Sequence, residues 1–467
     1  MLVWETLQTE IERFRQDSRS WPILSKISSA QLRGELENRY TFEQPISLEE
    51  VTEETIKLLR DYSLHVTHPR YFGLFNPSVR YAGIVADVLV ALYNPQLAAW
   101  SHAPAANEIE RHTLRHFVSL LGWNRDTTFM NFTSGGMEAN LSAVLAAIAH
   151  HFPDSGKQGI ASLALHPAIY ITAESHHSFI KIARMTGLGT DCLRDVPTTT
   201  DYILDVDALV RLIERDKSQG RYPLMVIGTA GTTGAGLIDP LPKIANIAEQ
   251  YGMWFHVDAA WGGSALLSPR LRSLLVGIEQ ADSVTWDAHK WLSVPMGAGM
   301  FFCRHVMAVT NAFDVTTSYM PKKTGEETFD QYATTAQWSR RMIGLKVFMA
   351  LAESGTEGYA DIIEHQARMG DYLRDQLHEA GWIVVNITQL PVVCFTHSDI
   401  RSGKTTTNQI LRIVYERNRV WISDVDIGGK EPVLRACITS FNCNEGDVDC
   451  LIEELEYARH QMDDNAT

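Results

Sequence analysis

The sequence predicts an α/β protein built on a mostly parallel sheet, and three observations carry that reading. Between about residues 125 and 305, short β-rich runs alternate with helical patterns. Those runs are apolar throughout, a composition strands acquire when helices cover both faces of a sheet. The chain has 467 residues, 45% of them hydrophobic, and can bury such a core in two or three domains.

Taken in order, residues 1–70 read as an N-terminal helical segment. "SLEEVTEETIKLLRDY" is its clearest amphipathic pattern, and Ser47 followed by Glu50 resembles a capping box. Proline and glycine then punctuate "HPRYFGLFNPS", an expected loop. Residues 71–310 form the predicted large domain, with strands expected at "AIYITAE", "LMVIGTAG", "MWFHVDAAW", "DSVTWDAH" and "AGMFFCR". "SFIKIARMTG", "DVDALVRLIERDKSQG", "LPKIANIAEQYG" and "PRLRSLLVGIEQA" are the helices expected between them. Residues 311–467 begin with a polar loop containing "PKKTGEE", continue through long helices, and end in a smaller α+β domain. "WIVVNIT", "PVVCFTH" and "VLRACITS" are its strand candidates, and an amphipathic helix begins at Glu445.

Composition narrows the function classes. A formal net charge of −15, from 41 Lys and Arg against 56 Asp and Glu, argues against a nucleic-acid or anionic-membrane surface. The six cysteines, at 192, 303, 394, 437, 443 and 450, form no CxxC pair and read as reduced thiols. "MLVWETLQTEIERF" has acids where a signal peptide carries basic and apolar regions. The most apolar stretch, "IVADVLVALY", is short and broken by Asp87, so no membrane span is expected. A soluble, cytoplasmic protein fits these limits.

Four chemical signals gather at expected strand ends, where ligands bind in open α/β sheets. "NFTSGGMEANLSAVLAAI" runs from an apolar stretch through a Ser-Gly-Gly turn into an alanine-rich helix. The free N–H groups of a helix start suit a phosphate, although an ordinary strand-to-helix turn looks the same. In "HVDAAWGG", Asp258 could bind a metal, hold a cationic ligand nitrogen, or cap the next turn. Lys290, in "DAHKW", lies 32 residues later, again at a strand end. An ammonium is costly to bury, but a lysine with a lowered pKa forms Schiff bases with carbonyls. In "ESHHSF", His177 opens a helix and could stack on a flat ligand or transfer a proton. An anion cradle, a buried acid, an amine nucleophile and a stacking imidazole together match pyridoxal 5′-phosphate, with its phosphate, ring nitrogen, aldehyde and planar face. The competing constellation, His112 and His116 on one helix face, lacks the intervening glutamate of a zinc motif, so no metal site is expected.

"HVDAAWGG" followed by "DSVTWDAHKWL" resembles the signature of the group II pyridoxal-phosphate amino-acid decarboxylases, which include the aromatic-amino-acid, histidine, glutamate and cysteine-sulfinate enzymes. "HPRYFG", "WSHAPAANEIE", "TSGGMEAN", "HSFIKIA", "GTTGAG" and "QWSRR" extend the resemblance in family order over roughly residues 45 to 460. It implies the aspartate-aminotransferase-like fold type I, with a large seven-stranded sheet domain and a small C-terminal domain. It also implies an obligate homodimer with active sites at the subunit interface.

Carried over motif by motif, the resemblance makes Lys290 the Schiff-base lysine and places His289 near the phosphate. Asp258 pairs with the ring nitrogen, Ala260 lies against the ring, and His177 rather than His176 stacks on the opposite face. Gly135, Gly136 and Met137 bring N–H groups to the phosphate, and Thr233 lies close to the cofactor. Leu74 and Phe75, with Ala98, line the expected side-chain pocket and depart from the aromatic enzymes' Tyr-Phe-Pro and phenylalanine. In the polar loop, Tyr332 falls one position from the family tyrosine that protonates Cα and is the expected proton donor, with Tyr319 the other tyrosine. The expected reaction is decarboxylation of an L-amino acid to its amine and CO2. The rivals are a decarboxylating aldehyde synthase and a retro-aldol carbon–carbon lyase. A cofactor-free interaction protein would have no use for Lys290, Asp258 and His177 together.

Overall fold

The structure, a computed structural model, describes residues 2–315, 329–429 and 431–464. Three helices open the chain: α1 (Leu2–Asp17), α2 (Ser29–Arg39) and α3 (Leu48–Tyr62). Ser47 caps α3 as expected, its hydroxyl accepting the Glu50 N–H at 3.2 Å. The reciprocal half of the box does not form, because the Glu50 carboxylate binds Arg39 instead. Neither α2 nor α3 buries a residue, and Trp4, Leu36, Leu48 and Leu59 of these three helices stay exposed.

Helices α4 (Tyr81–Tyr93) and α5 (Pro104–Leu120) precede the first strand. The apolar "IVADVLVALY" lies within α4, and among the described residues no helix is long and apolar enough to cross a membrane. The large sheet then forms from β1 (Phe129–Thr133), β2 (His166–Ile171), β3 (Leu193–Asp195), β4 (Arg221–Thr229), β5 (Trp254–Asp258), β6 (Ser283–Asp287) and β7 (Gly299–Cys303). Its order is β1-β7-β6-β5-β4-β2-β3, seven strands as the fold class requires. Only β7 runs antiparallel to its neighbours, β1 and β6. Every residue of β5, β6 and β7 is buried, including the polar Ser283, Thr285 and Asp287 that alternate with Val284 and Trp286 in β6.

Two expectations for this domain change. Strand β3, only three residues long, has too little pattern to announce itself. "PRLRSLLVGIEQA" is not an α-helix but two 3₁₀ turns, Arg272–Leu275 and Ile278–Gln280. Gly277 separates them at φ +99°, a left-handed conformation that ends any right-handed helix.

The smaller sheet contains β8 (Ile383–Val384), β9 (Val392–Thr396), β10 (Ser423–Ile427) and β11 (Glu431–Cys437), ordered β10-β11-β9-β8 and antiparallel throughout. The helix Leu345–Glu379, interrupted at Gly355, packs against α4 and α5 and against the last helix, Glu445–Asp464. Just before it, Arg340 is fully buried against Glu110 of α5, with Nη1 2.7 Å from Oε2. The other glutamate oxygen accepts the Ile343 and Gly344 N–H groups at 2.8 and 2.7 Å. The motifs "WSHAPAANEIE" and "QWSRR", distant in sequence, thus meet in one buried ion pair.

Candidate active site

Strand register assembles the site. Thr229 pairs with Asp258 and Asp258 with Thr285, so β4, β5 and β6 end in a row of polar residues. Asp287 lies opposite Gly299, which lies opposite Thr133, extending the row to β1. Above it, the turn after β1 leads into helix α6 (Gly136–His151), whose first N–H groups have no carbonyl above them. A cavity opens there, lined by Gly136, Met137, Thr233, Asp258, Ala260 and Lys290, all six of them expected from sequence. Gly136 is required by close approach, since a Cβ on it would stand 2.8 Å from Asp287 Oδ2.

Lys290 leaves the loop after β6 and places Nζ 3.1 Å from Asp287 Oδ2. The other Asp287 oxygen, Oδ1, is buried without a partner, as is Thr229 Oγ1 on the cavity wall. His289 is buried, and its Nδ1 accepts the Ala298 N–H at 3.3 Å. That leaves the ring proton on Nε2, 3.8 Å from Asp287 Oδ2. Burial lowers the His289 pKa, with the Asp287 carboxylate opposing it. His289 Cε1 lies 3.6 Å from where a Cβ of Gly135 would be, beside the turn that leads into the helix.

The Asp258 carboxylate is held at both oxygens. Oδ2 accepts Asn140 Nδ2–H at 2.9 Å, and Oδ1 accepts the Ala260 N–H at 3.1 Å. Asn140, one helical turn into α6, also lines the cavity and was not singled out from sequence, where it reads as one more polar residue in an alanine-rich helix.

The two adjacent histidines exchange places. His176 lines the cavity, while His177 does not and instead occupies the N-cap position of the Ser178–Met185 helix. The expectation that His177 faces the ligand is therefore corrected to His176. Its Nδ1 accepts the Ser178 N–H at 3.2 Å, and burial lowers its pKa. Motif spacing selected His177, but consecutive loop residues turn in different directions, and the fold settled which one faces inward.

The expected side-chain pocket divides. Phe75 lines the cavity and stacks on Trp261 at 4.6 Å, and Trp261 stacks on Trp291 at 4.7 Å. Leu74 is exposed and does not line it. Ala98 and Tyr332 are joined, the Tyr332 N–H donating to the Ala98 carbonyl at 3.0 Å, yet neither lines the cavity of its own chain. Tyr319 lies outside the described residues. Beside Phe75 sits buried Arg435, also missed from sequence, its guanidinium carbon 5.1 Å from the Phe75 ring centroid. Its Nε donates to the Thr233 and Gly234 carbonyls and Nη1 to the Gly73 carbonyl, leaving Nη2 buried without a partner. His112 and His116 share a recess with Phe348 and Leu351 far from these groups in the chain's topology. Among the described residues, no group of three His, Cys, Asp or Glu side chains could hold a metal ion.

Residues 31–398 match the family model described as the pyridoxal-dependent decarboxylase conserved domain. The chain is 29% identical over 441 residues to the L-aspartate decarboxylase dtxS4 of Metarhizium robertsii, covering 91% of this chain and 87% of that one. It is 28% identical over 434 residues to tyrosine decarboxylase 2 of Arabidopsis thaliana, covering 89% and 78%. The crystal structure of mouse CSAD superposes with a TM-score of 0.88 at 26% identity, covering 97% of this chain and 98% of that one.

Proposed function

The chain belongs to the pyridoxal-dependent decarboxylase family and is a pyridoxal-phosphate-dependent amino-acid decarboxylase, and from that premise we propose how its residues divide the work. Lys290 carries the cofactor aldehyde, Asp258 faces the ring nitrogen, Ala260 and His176 face the ring, and the start of α6 takes the phosphate, with Thr233 beside it. The residues present fit that group. The helix start offers N–H donors, Gly136 leaves no Cβ in their way, and Thr229 Oγ1 and Asp287 Oδ1 are polar atoms on the cavity wall still without partners.

When bound, pyridoxal phosphate supplies an electron sink for the pair left behind as CO2 departs. The protein's part is orientation and proton control. Asp258, fixed at both oxygens, presents a carboxylate that cannot swing away from a ring nitrogen. Asp287 holds the Lys290 ammonium until the amine is needed, and the Phe75–Trp261–Trp291 stack keeps water from that side.

The substrate in this reading is an L-amino acid with an acidic side chain. The likeness to an L-aspartate decarboxylase supports it, as does the positive charge that Arg435 brings to 5.1 Å from the Phe75 ring on the cavity wall. A cation that gripped the departing carboxylate would oppose loss of CO2, so Arg435 suits a carboxylate that stays. Tyr332 is proposed as the Cα proton donor in a homodimer. Its backbone tie to Ala98, away from their own chain's cavity, is what supports service to a second subunit. The six cysteines are buried and unpaired, which suits a cytoplasmic location.

The observation that carries the reading is Lys290 set among Asp258, Asp287 and the α6 start. Lys290→Ala should lose the visible absorption of the bound cofactor and release no CO2 from aspartate, glutamate, cysteine sulfinate, tyrosine or tryptophan, while wild type favours the acidic members. Wild-type absorbance and turnover in Lys290→Ala would end the assignment.

A further inference from the structure

Behind Asp258 runs a line of buried polar side chains with a fixed direction. Trp254 Nε1–H donates to Ser283 Oγ at 2.8 Å, and that oxygen lies 2.8 Å from His256 Nδ1. His256 Nε2 lies 3.0 Å from Asn140 Oδ1, which also accepts the Thr285 hydroxyl at 2.7 Å. Asn140 Nδ2 then donates to Asp258 Oδ2 at 2.9 Å. The Asp258 carboxylate can only accept, so the Asn140 amide gives it an N–H and turns Oδ1 toward His256; the imidazole proton then sits on Nε2, and Nδ1 accepts the Ser283 hydroxyl. Burial pushes the His256 pKa down to about 4, so the ring is neutral at ordinary pH.

The amide therefore has one workable orientation. Turned over, its oxygen would meet the Asp258 carboxylate and its NH2 would meet two donors, His256 Nε2–H and the Thr285 hydroxyl. His256, Ser283 and Thr285 are wholly buried, and Asn140 is 1% exposed. Apolar residues of similar volume would fill such a space at less cost in desolvation. Phe179 packs edge-on against His256 at 6.4 Å, and the one branch of the line is from Asn140 Nδ2 to the buried Ser178 hydroxyl at 3.4 Å.

We propose that Asn140 is a positioning residue that sets the direction of the Asp258 carboxylate, and that His256 and Thr285 lock its amide in place. The inference rests on the reading that Asp258 faces the ring nitrogen. Asn140 touches the acid, the acid touches the ring, and the two strands beneath hold the amide. An error in the amide's orientation is passed to the ring as an error in the acid.

The test compares Asn140→Ala, Asn140→Asp and Thr285→Val with Asp258→Asn. The readouts are the visible spectrum of the bound cofactor as a function of pH, the rate of cofactor loss on dilution, kcat and KM, and the melting temperature of the cofactor-free protein. Asn140→Asp nearly preserves shape but sets a second carboxylate against Asp258, where the two must share a proton. A space-filling role predicts Asn140→Asp to be milder than Asn140→Ala. Positioning predicts the reverse, with kcat down roughly 100-fold or more in Asn140→Asp and roughly tenfold in Asn140→Ala, KM within threefold, and the spectral pH midpoint displaced in both. Thr285→Val, which removes one of two donors to Oδ1, should move the midpoint in the same direction by less, and it decides the matter if neither Asn140 variant folds. Unchanged spectra and pH midpoints with only a lower melting temperature would overturn the proposal. Asp258→Asn separates the two levels: if it too is silent, the reading of Asp258 falls, and if it is crippled while the Asn140 and Thr285 variants are silent, only the role of Asn140 falls.

Discussion

Two ion pairs, Arg340–Glu110 and Lys290–Asp287, differ in how completely their carboxylates are satisfied. In the first, both side chains are 0% exposed, and the glutamate oxygens take an arginine N–H and two backbone N–H groups. In the second, the lysine side chain is 20% exposed and one aspartate oxygen has no partner. A pair with its acceptor atoms filled joins segments of chain and has nothing left to offer a ligand. A pair with an open oxygen and a reachable amine can be taken apart and remade. Arg340 Nε is itself buried without a partner, so it is the filling of both carboxylate oxygens, rather than completeness of the whole pair, that sets Arg340–Glu110 apart from Lys290–Asp287.

The largest expected effect breaks the first pair. Glu110→Ala should cost about 3–5 kcal/mol of stability, because Arg340 is left as an uncompensated buried charge. Denaturant unfolding measures it, and a loss below 1 kcal/mol would mean that the pair does not hold α5 to the segment after Arg340. Acid separates the two regions next. His256 takes up its proton near pH 4 when folded and near 6.5 when unfolded, so the unfolded chain binds more protons between these values. Its contribution is complete above pH 6.5 and lost as pH falls toward 4. The stability of wild type relative to His256→Gln should therefore fall by roughly 3 kcal/mol across that window. A difference independent of pH would show that the ring is not held neutral.

Smaller effects belong to the second pair. Asp287→Asn should leave the melting temperature within a few degrees of wild type but weaken cofactor retention roughly tenfold, as expected for a partly exposed pair whose lysine is meant to change partners. Equilibrium dialysis of pyridoxal phosphate would show it, and unchanged retention would remove Asp287 from the site. The smallest is a contrast within "HH". His176→Gln should lower kcat about tenfold, whereas His177→Gln should stay within twofold. The opposite ranking in steady-state kinetics would restore His177.

What was legible in the sequence follows from how each feature is written there. Strands β5 to β7 are wholly buried and β4 mostly so, and they appear as short β-rich runs without an exposed polar face, so the sheet could be read directly. Lys290, Asp258 and Gly136 could be read because a lysine, an aspartate and a paired glycine at strand ends are unusual company for one another. Asn140 and Arg435 could not, because their roles come from strand register and from a contact across 362 residues with Gly73. The choice of His177 failed for a related reason: residue spacing counts positions, whereas a loop decides directions. The helix expected over "PRLRSLLVGIEQA" failed at Gly277, whose positive φ a periodicity count does not register.

Helix α6 touches the site twice, through the N–H groups at Gly136 and Met137 and, four residues beyond Gly136, through the amide of Asn140 beneath Asp258. A helix rises 1.5 Å per residue and is stiff over one turn, so these two points stand about 6 Å apart along its axis whatever the loops around them do. In the function proposed above the helix acts as a gauge, with one jaw for an anion and the other for the acid that meets a ring. A vitamer lacking its phosphate engages one jaw, and one with a longer arm between ring and phosphate cannot seat in both. On that reading, cofactors are selected by length through the pitch of a single helix.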